Sequence, residues 1–289
     1  MPNLDDFTLH NACESSLGDL ARVFTAGYEG YPYPASTDAF QLARRVREES
    51  IALEVSFTLR RGDQAAGLVL VALRGDEAWC GGFGVVPAFR GQGLGSLLAR
   101  EMVRRAASAG ARRLRLEVLA GNDRARRTYE GAGLRTTREV LVLTWRMLVD
   151  HPPAKPQGRL ESMSAEAALA RSPRLFNVDA CWQRSRASVL ARTGTEGFEL
   201  AVDGARAWAV CVNVPNRAAR ILRLHGETTG ATTAMIHALQ NRFVSLGIVN
   251  EPADSPVLPL LTEAGFTNSD HQYDMVIELG RPSPGVQPE

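Results

Sequence analysis

Apolar positions recur at helical spacing over Leu17–Ala26 and Asp38–Glu48. They alternate, or run unbroken, over Phe7–His10, Glu54–Leu59, Gly67–Leu73 and Glu77–Val86, as buried strands do. Helical spacing returns behind Gly93, where Leu97, Leu98 and Met102 separate from Glu101 and Arg105. Gly110 stands where a residue past a helix C-cap should, and Arg113–Leu119 alternates like a strand. Asn122 would cap a short helix over 123–130, Asp123 suits its first turn, Gly133 closes it, and Val140–Met147 reads as a final strand. The predicted order is β-α-α-β-β-β-α-β-α-β, a mixed α/β (α+β) sheet.

The most informative stretch joins the sixth of these strands or helices to the seventh: Gly84-Val85-Val86-Pro87-Ala88-Phe89-Arg90-Gly91-Gln92-Gly93-Leu94-Gly95. Glycines at alternate positions leave backbone amides bare of side chains at a helix N-terminus. Such an end attracts anions through unsatisfied N–H groups and the positive pole of the helix dipole. A phosphate loop of the lysine-bearing kind is excluded, since Ser96-Leu97 follows Gly95 with no lysine. The dinucleotide fingerprint is excluded too, since Ser96 stands at its last glycine. An ordinary glycine-rich turn capping a helix is the plainer alternative.

What fits is R-x-x-G-x-G, met by Arg90, Gly93 and Gly95 directly after the Val-Val-Pro strand end. It resembles the acyl-CoA pyrophosphate loop of the GNAT N-acetyltransferase superfamily. Asn122-Asp123-Arg124-Ala125 with Tyr129-Glu130 and Gly133-Leu134 is similar to a second segment of that family, in the right order and one helix and one strand further on. The resemblance implies that the amides of Gly91, Gln92, Gly93, Leu94, Gly95 and Ser96 hold the pyrophosphate, with Arg90 in the same loop. It implies that backbone groups of Val85 and Val86 orient the thioester and receive its oxyanion, that the strand at 81–86 splays from its neighbour, and that Asn122 contacts the pantetheine arm. Tyr129 would donate a proton to the departing thiolate, and the amine would attack directly with no acyl-enzyme. Tyr129 as a residue that merely packs on the cofactor is the alternative. Arg124, Arg126 and Arg127 lie near enough to meet an adenosine 3′-phosphate, whereas Arg104, Arg105 and Arg112 read as a solvated helix face.

Composition narrows the rest. The 289 residues are 45% hydrophobic with formal net charge +1, enough for two cores and no argument for a nucleic-acid or membrane partner. The apolar run Leu68–Leu73 is too short to span a bilayer, and Met1–Asp6 lacks the parts of a signal peptide. Cys13, Cys80, Cys181 and Cys211 have no ligand-like spacing, and the five histidines offer no metal pair. A cytoplasmic protein with reduced thiols, no metal and no serine-nucleophile elbow is expected. Lys155 is the only lysine, a matter of base composition more than function.

Prolines and polar residues over 150–159 break the periodicity and mark a linker. The expected domains are 1–150 with the acyl-CoA loop, a linker at 151–159, a degenerate GNAT-like domain at 160–280 and a tail at 281–289. Asp254-to-Phe266 echoes Asn122-to-Leu134, with Gly265 on Gly133, Asp254 on Asn122 and Leu261 on Tyr129. Aligning Gly247 with Gly110 puts Glu227-Thr228-Thr229-Gly230 where Arg90-Gly91-Gln92-Gly93 stands, so the second half resembles the same fold without its cofactor site. Trp182-Gln183-Arg184-Ser185, His271-Gln272-Tyr273-Asp274-Met275 and Gly30-Tyr31-Pro32-Tyr33-Pro34 resemble motifs of bacterial tandem GNAT proteins.

The resemblance thus implies two GNAT-like domains in tandem, acetyl-CoA as cofactor, and transfer of its acetyl group to a primary amine of a small molecule. An aromatic cleft under Tyr31 and Tyr33, lined by Trp79, suits a small or amino-acid-like acceptor. A peptide or protein N-terminus is the close rival, and a non-catalytic acyl-CoA sensor or a scaffold dimerising through the second half is the reading from another class. No general base is assigned: Trp79 stands where some members carry a glutamate, Asp76 and Glu77 fall near a hairpin turn, and Glu29 reads as a solvated loop acid. Monomer and homodimer stay open.

Overall fold

The computed structural model describes residues 6–33, 35–148, 150, 152–155, 157–171 and 180–280. The chain forms two compact units, Met1–Thr137 with Asp274–Glu289, and Arg138–Tyr273. The tail expected at 281–289 and part of the linker lie outside the described residues.

In the first unit the elements are β1 (Thr8–Asn11), α1 (Leu17–Gly27), α2 (Ala39–Glu49), β2 (Phe57–Arg61), β3 (Gln64–Arg74), β4 (Glu77–Val85), α3 (Leu94–Ser108), β5 (Arg113–Leu119) and α4 (Asp123–Glu130). The predicted order holds. Local chemistry sets the helix starts: Ser16 Oγ accepts from the Asp19 amide, and Asp38 with Gln41 forms a reciprocal capping box. The second strand begins at Phe57, not Glu54, because the amides of Val55 and Ser56 both turn back to the Ala52 carbonyl. Strands β1 to β4 are antiparallel neighbours in sequence order, while β5 joins β4 in parallel. Leu68–Ala72 of β3 is wholly buried, as a strand covered on both faces should be. Beyond β5 the sheet of this unit ends on the Asp274–Glu278 part of β12 (Thr267–Glu278).

The second unit repeats the plan. It contains β7 (Arg159–Met163), α5 (Ala165–Arg171), α6 (Arg186–Ala191), β8 (Thr195–Val202), β9 (Ala205–Val214), β10 (Ala218–Gly226), α7 (Thr229–Arg242), β11 (Ser245–Pro252) and α8 (Leu258–Glu263). β6 (Arg135–Arg146) contributes its residues from 138 onward to this unit, paired antiparallel with β11. The polar stretch at 151–159 therefore lies inside the second unit, and the compact units do not follow chain order. Periodicity identifies a strand but not the sheet that takes it up.

The echo between halves is real at its C-terminal end. Leu134 N–H donates to Tyr129 O and Phe266 N–H to Leu261 O, while Gly133 and Gly265 both hold positive φ of 97° and 85°. The upstream alignment needs correction: Gly247 lies within β11, not at a helix end like Gly110. β4 and β5 begin pairing at Glu77↔Arg113, and β10 and β11 at Ala218↔Ser245, so strand pairing and not glycine identity sets the correspondence.

Candidate acyl-CoA site

Two features of β4 shape the site. Its antiparallel ladder with β3 carries a bulge in which Gly81 is the extra residue, between the Leu70↔Gly82 and Val71↔Cys80 pairs. A Cβ at Gly81 would stand 2.4 Å from Ile51 Cδ1 and 2.8 Å from Trp79 Cζ3, so a side chain there would displace both. On its other side β4 pairs with β5 only through Trp79↔Arg115, and past that point the two strands part. Since N–H groups alternate sides along a strand and Val86 N–H donates to Ala66 O on β3, the amides of Phe83 and Val85 face the parted side. Phe83 N–H donates to Tyr28 Oη at 3.3 Å. Of the two residues expected to address the thioester, Val85 offers its amide there and Val86 has its amide engaged by β3.

The loop after β4 is held, not loose. Arg90 Nε donates to Val85 O at 2.9 Å, and its Nη2 donates to Gly27 O at 3.1 Å and Glu29 O at 2.8 Å. The guanidinium ties loop, β4 and the end of α1 together and leaves phosphate binding to the amides. Gly91 and Gly93 have φ of 82° and 81°, and nothing lies within 4 Å of a Cβ built on either. Gly93 is the N-cap of α3 and supplies no side-chain hydrogen bond, so the Leu94 and Gly95 amides are uncapped, whereas the Ser96 amide, expected at the pyrophosphate, turns back to Gly93 O at 3.1 Å. Leu94 is buried beneath them, Gly95 sits beside Thr128, Gln92 Nε2 reaches Ala88 O at 3.4 Å and Ser96 is exposed. A diphosphate fits this cradle: bare amides, a helix N-terminus and open space where side chains would stand.

Asn122 caps α4 as expected, its Oδ1 accepting from Ala125 N–H at 3.1 Å, which leaves its amide NH₂ as a donor. Arg126 pairs with Asp123 at 3.0 Å, while Arg124 and Arg127 are exposed. Arg105 departs from the expected solvated face: it reaches Asn11 Oδ1 at 2.6 Å and lies over Phe57, fastening α3 to β1.

Tyr129 is buried, with its ring edge-on to Phe83 at 5.2 Å between centroids. Burial first, then Cys80, Tyr28 and Tyr31, raise its phenol well above the usual value, so it keeps its proton. Around it lie residues the pattern did not single out. Tyr28 stacks on Phe24 at 4.6 Å and meets Tyr31 edge-on at 5.2 Å, while Tyr33 is more exposed. Arg45 of α2 donates from Nη2 to Gly81 O at 2.5 Å and lies over the Phe24 ring. Glu117 of β5 accepts from Trp79 Nε1 at 2.8 Å. Trp79 is thus the buried anchor of a carboxylate, not a cleft wall. Glu29 is exposed and Asp76 pairs with Arg112 at 3.6 Å. Glu117 was hidden among alternating strand residues; its position two residues past the last β4–β5 pair is the signal that finds it.

The second unit lacks these features. Two residues, not a loop, separate β10 from α7, and Thr228 Oγ1 takes the Ala231 amide at 3.1 Å. β10 and β11 also part after Arg220↔Gly247, but Arg184 closes the gap. Its Nε donates to Leu222 O at 2.8 Å, its Nη1 to Asn250 O at 2.9 Å, and its Nη2 pairs with Glu251 at 2.6 Å. Among the described residues no group of His, Cys, Asp and Glu would hold a metal ion, and no helix is long and apolar enough to cross a membrane.

Residues 19–134 match the family model described as the acetyltransferase (GNAT) family. No curated protein matches the chain in sequence. Among solved structures, the GCN5-related N-acetyltransferase from Sphaerobacter thermophilus is similar over 98% of both chains, with TM-score 0.67 and 16% identity. A tandem GNAT protein from the clavulanic acid biosynthesis pathway is similar over 96% of this chain and 99% of its own, with TM-score 0.65 and 17% identity. A GCN5-related N-acetyltransferase from Kribbella flavida is similar over 94% of this chain and 72% of its own, with TM-score 0.60 and 16% identity. Residues 19–134 thus match the GNAT family, and the chain as a whole has the tandem GNAT fold.

Proposed function

We propose that the first unit moves an acetyl group from acetyl-CoA to the primary amine of a small molecule, by direct attack and in the cytoplasm. One observation carries this reading: an uncapped, glycine-lined helix N-terminus lies at the end of the same strand whose edge is open past Trp79. Acetyl-CoA, when bound, supplies the acyl group as an activated thioester. The amides of Gly91–Gly95 would hold its pyrophosphate, the Val85 amide and the Asn122 side chain would orient its arm, and Arg90 keeps the loop in place. Glu117, anchored by the Trp79 indole, is the base that takes the proton of the acceptor amine. Tyr129 Oη, kept neutral by burial, donates a hydrogen bond toward the leaving sulfur. Its raised pKa makes complete proton transfer harder but guarantees the donor is present at every working pH. The aromatic wall of Tyr28, Tyr31 and Phe83 keeps water from the acyl group.

Calorimetric titration with acetyl-CoA, on the wild type and on Gly95→Glu, tests this. Gly95 lies in the first turn of α3 with room for a Cβ beside Thr128, so an acid there suits the helix dipole and blocks a diphosphate. One-to-one binding by the wild type, lost in a variant with an undiminished melting temperature, is expected. Absence of wild-type binding overturns the reading. Binding without CoA release in the presence of any small amine or peptide N-terminus would make the protein an acyl-CoA sensor instead.

A further inference from the structure

Arg45 lies half-buried against the parted edge of β4. One of its N–H groups goes to Gly81 O, and its face lies over the Phe24 ring at 5.4 Å. Its Nε is buried with no hydrogen-bond partner, and among the described residues no carboxylate pairs with it. A guanidinium offers five N–H donors in a fork that matches a carboxylate. Leaving such a charge half-buried and uncompensated opposes folding, and sites that bind ligands are where this is retained.

The second unit shows what the missing partner is. There Arg184 makes the corresponding bond, to the carbonyl of Leu222, the extra residue of the bulge between Ile221 and Arg223 in β10. Arg184 also has a carboxylate, Glu251 of β11 at 2.6 Å. The guanidinium at the same bulge in the first unit has none among the described residues. Glu117 belongs to the same stretch of β4: Trp79, whose indole holds it, has its ring beside Gly81, the residue whose carbonyl Arg45 takes.

We infer that the acceptor is a small amino acid, bearing a carboxylate that Arg45 receives as well as the amine that faces Glu117. This rests on the transferase reading above and names its substrate class. A single guanidinium matches the one charge of a carboxylate and leaves a dianionic phosphate half-neutralised, which favours the carboxylate.

The test uses pairs of amines that differ only in this group: glycine and glycinamide, β-alanine and its amide, γ-aminobutyrate and its amide. CoA release is followed with the full-length wild type, Arg45→Gln and Arg45→Lys, each checked for an unchanged melting temperature. Glutamine keeps a polar side chain and loses the charge; lysine keeps the charge. The wild type should prefer the acid of at least one pair, and Arg45→Gln should lower kcat/KM for that acid about 10- to 100-fold, through KM, with its amide unaffected. Arg45→Lys should fall between. A purely structural Arg45 would lower acid and amide together in Arg45→Gln. Equal losses, or acetyl-CoA binding with turnover confined to amines lacking a carboxylate or absent from the whole panel, overturn the inference alone. Failure of the wild type to bind acetyl-CoA overturns the transferase reading as well.

Discussion

Trp79 Nε1 donates to Glu117 Oε2 at 2.8 Å, joining β4 to β5 beyond the last backbone pair between them, Trp79↔Arg115. The bond fixes one carboxylate oxygen and leaves the carboxylate at the opening of the two strands. Glu117→Gln should therefore lower kcat by about 10²- to 10⁴-fold, the range for loss of a general base, with acetyl-CoA affinity retained. Trp79→Phe should lower it less, by loosening the carboxylate without removing it. Steady-state rates with titration of acetyl-CoA binding check both. An unchanged kcat in Glu117→Gln would remove Glu117 from the mechanism.

Tyr129→Phe separates chemistry from packing. The phenyl ring still meets Phe83, so the melting temperature should hold, while kcat falls by about 10²- to 10⁴-fold if the hydroxyl donates to the leaving group. Because burial raises this phenol well above 10, the wild type should show no alkaline loss of rate from tyrosine ionisation up to that pH. A rate that falls with an apparent pKa near 9 and is flat in the phenylalanine variant would contradict this.

Close backbone approach places α1 on the site. A Cβ at Gly84 would stand 2.8 Å from Gly27 Cα, and one at Gly27 would stand 3.0 Å from Gly84 Cα. Gly84→Ala must push α1 from β4, and overpacking of this kind typically destabilises by about 1–3 kcal/mol. Urea denaturation should show the loss. Acetyl-CoA affinity should fall too, because Arg90 fastens the loop to the Gly27 carbonyl.

Much of the first unit is legible in sequence because its signals are local. The caps at Asp38 and Asn122, the alternation of β5 and the glycines around α3 each lie within a few residues of the structure they specify. Arg45, Tyr28 and Glu117 carry no such signal. They come from α2, α1 and β5, and only the bulge at Gly81 and the parting of β4 from β5 bring them to one place. Arg90 reads in sequence as a loop residue at the phosphate; its three carbonyl partners include Gly27 at the end of α1 and Glu29 just past it, a contact across 61 or more residues of chain. The assignment of strands to units is equally remote, since nothing local distinguishes Arg135–Thr137 from Arg138–Arg146.

Alkaline stability should reflect the buried thiol. The Cys80 pKa is raised from 9.0 to about 12, first by burial. Above pH 9 the unfolded chain releases this proton and the folded chain keeps it. Its contribution is therefore fully present below pH 9 and is lost as pH rises toward 12. Cys80→Ala should show a shallower decline of unfolding free energy over that window than the wild type, by urea titration at successive pH values. Parallel declines would mean that the thiol ionises freely in the folded protein.

The Asp274–Glu278 part of β12 meets β5 through a buried ion pair, alongside Arg113–Glu278 at 2.7 Å. Arg115 Nη2 meets Asp274 Oδ2 at 2.8 Å, with side chains 5% and 1% exposed, and Thr137 Oγ1 donates to the Asp274 carbonyl at 3.1 Å. Arg115 is also the residue opposite Trp79 where β4 and β5 part. Breaking a buried pair from one side leaves an uncompensated charge and typically costs about 3–5 kcal/mol, whereas replacing both members by apolar residues is often neutral. Asp274→Asn should therefore destabilise strongly, and Arg115→Met/Asp274→Leu should recover most of the loss. If β5 owes its angle to this pair, the double variant should fold as well as the wild type yet turn over more slowly, since Glu117 lies two residues along the same strand. A double variant with full stability and full rate would show that the pair holds the strand without setting the site.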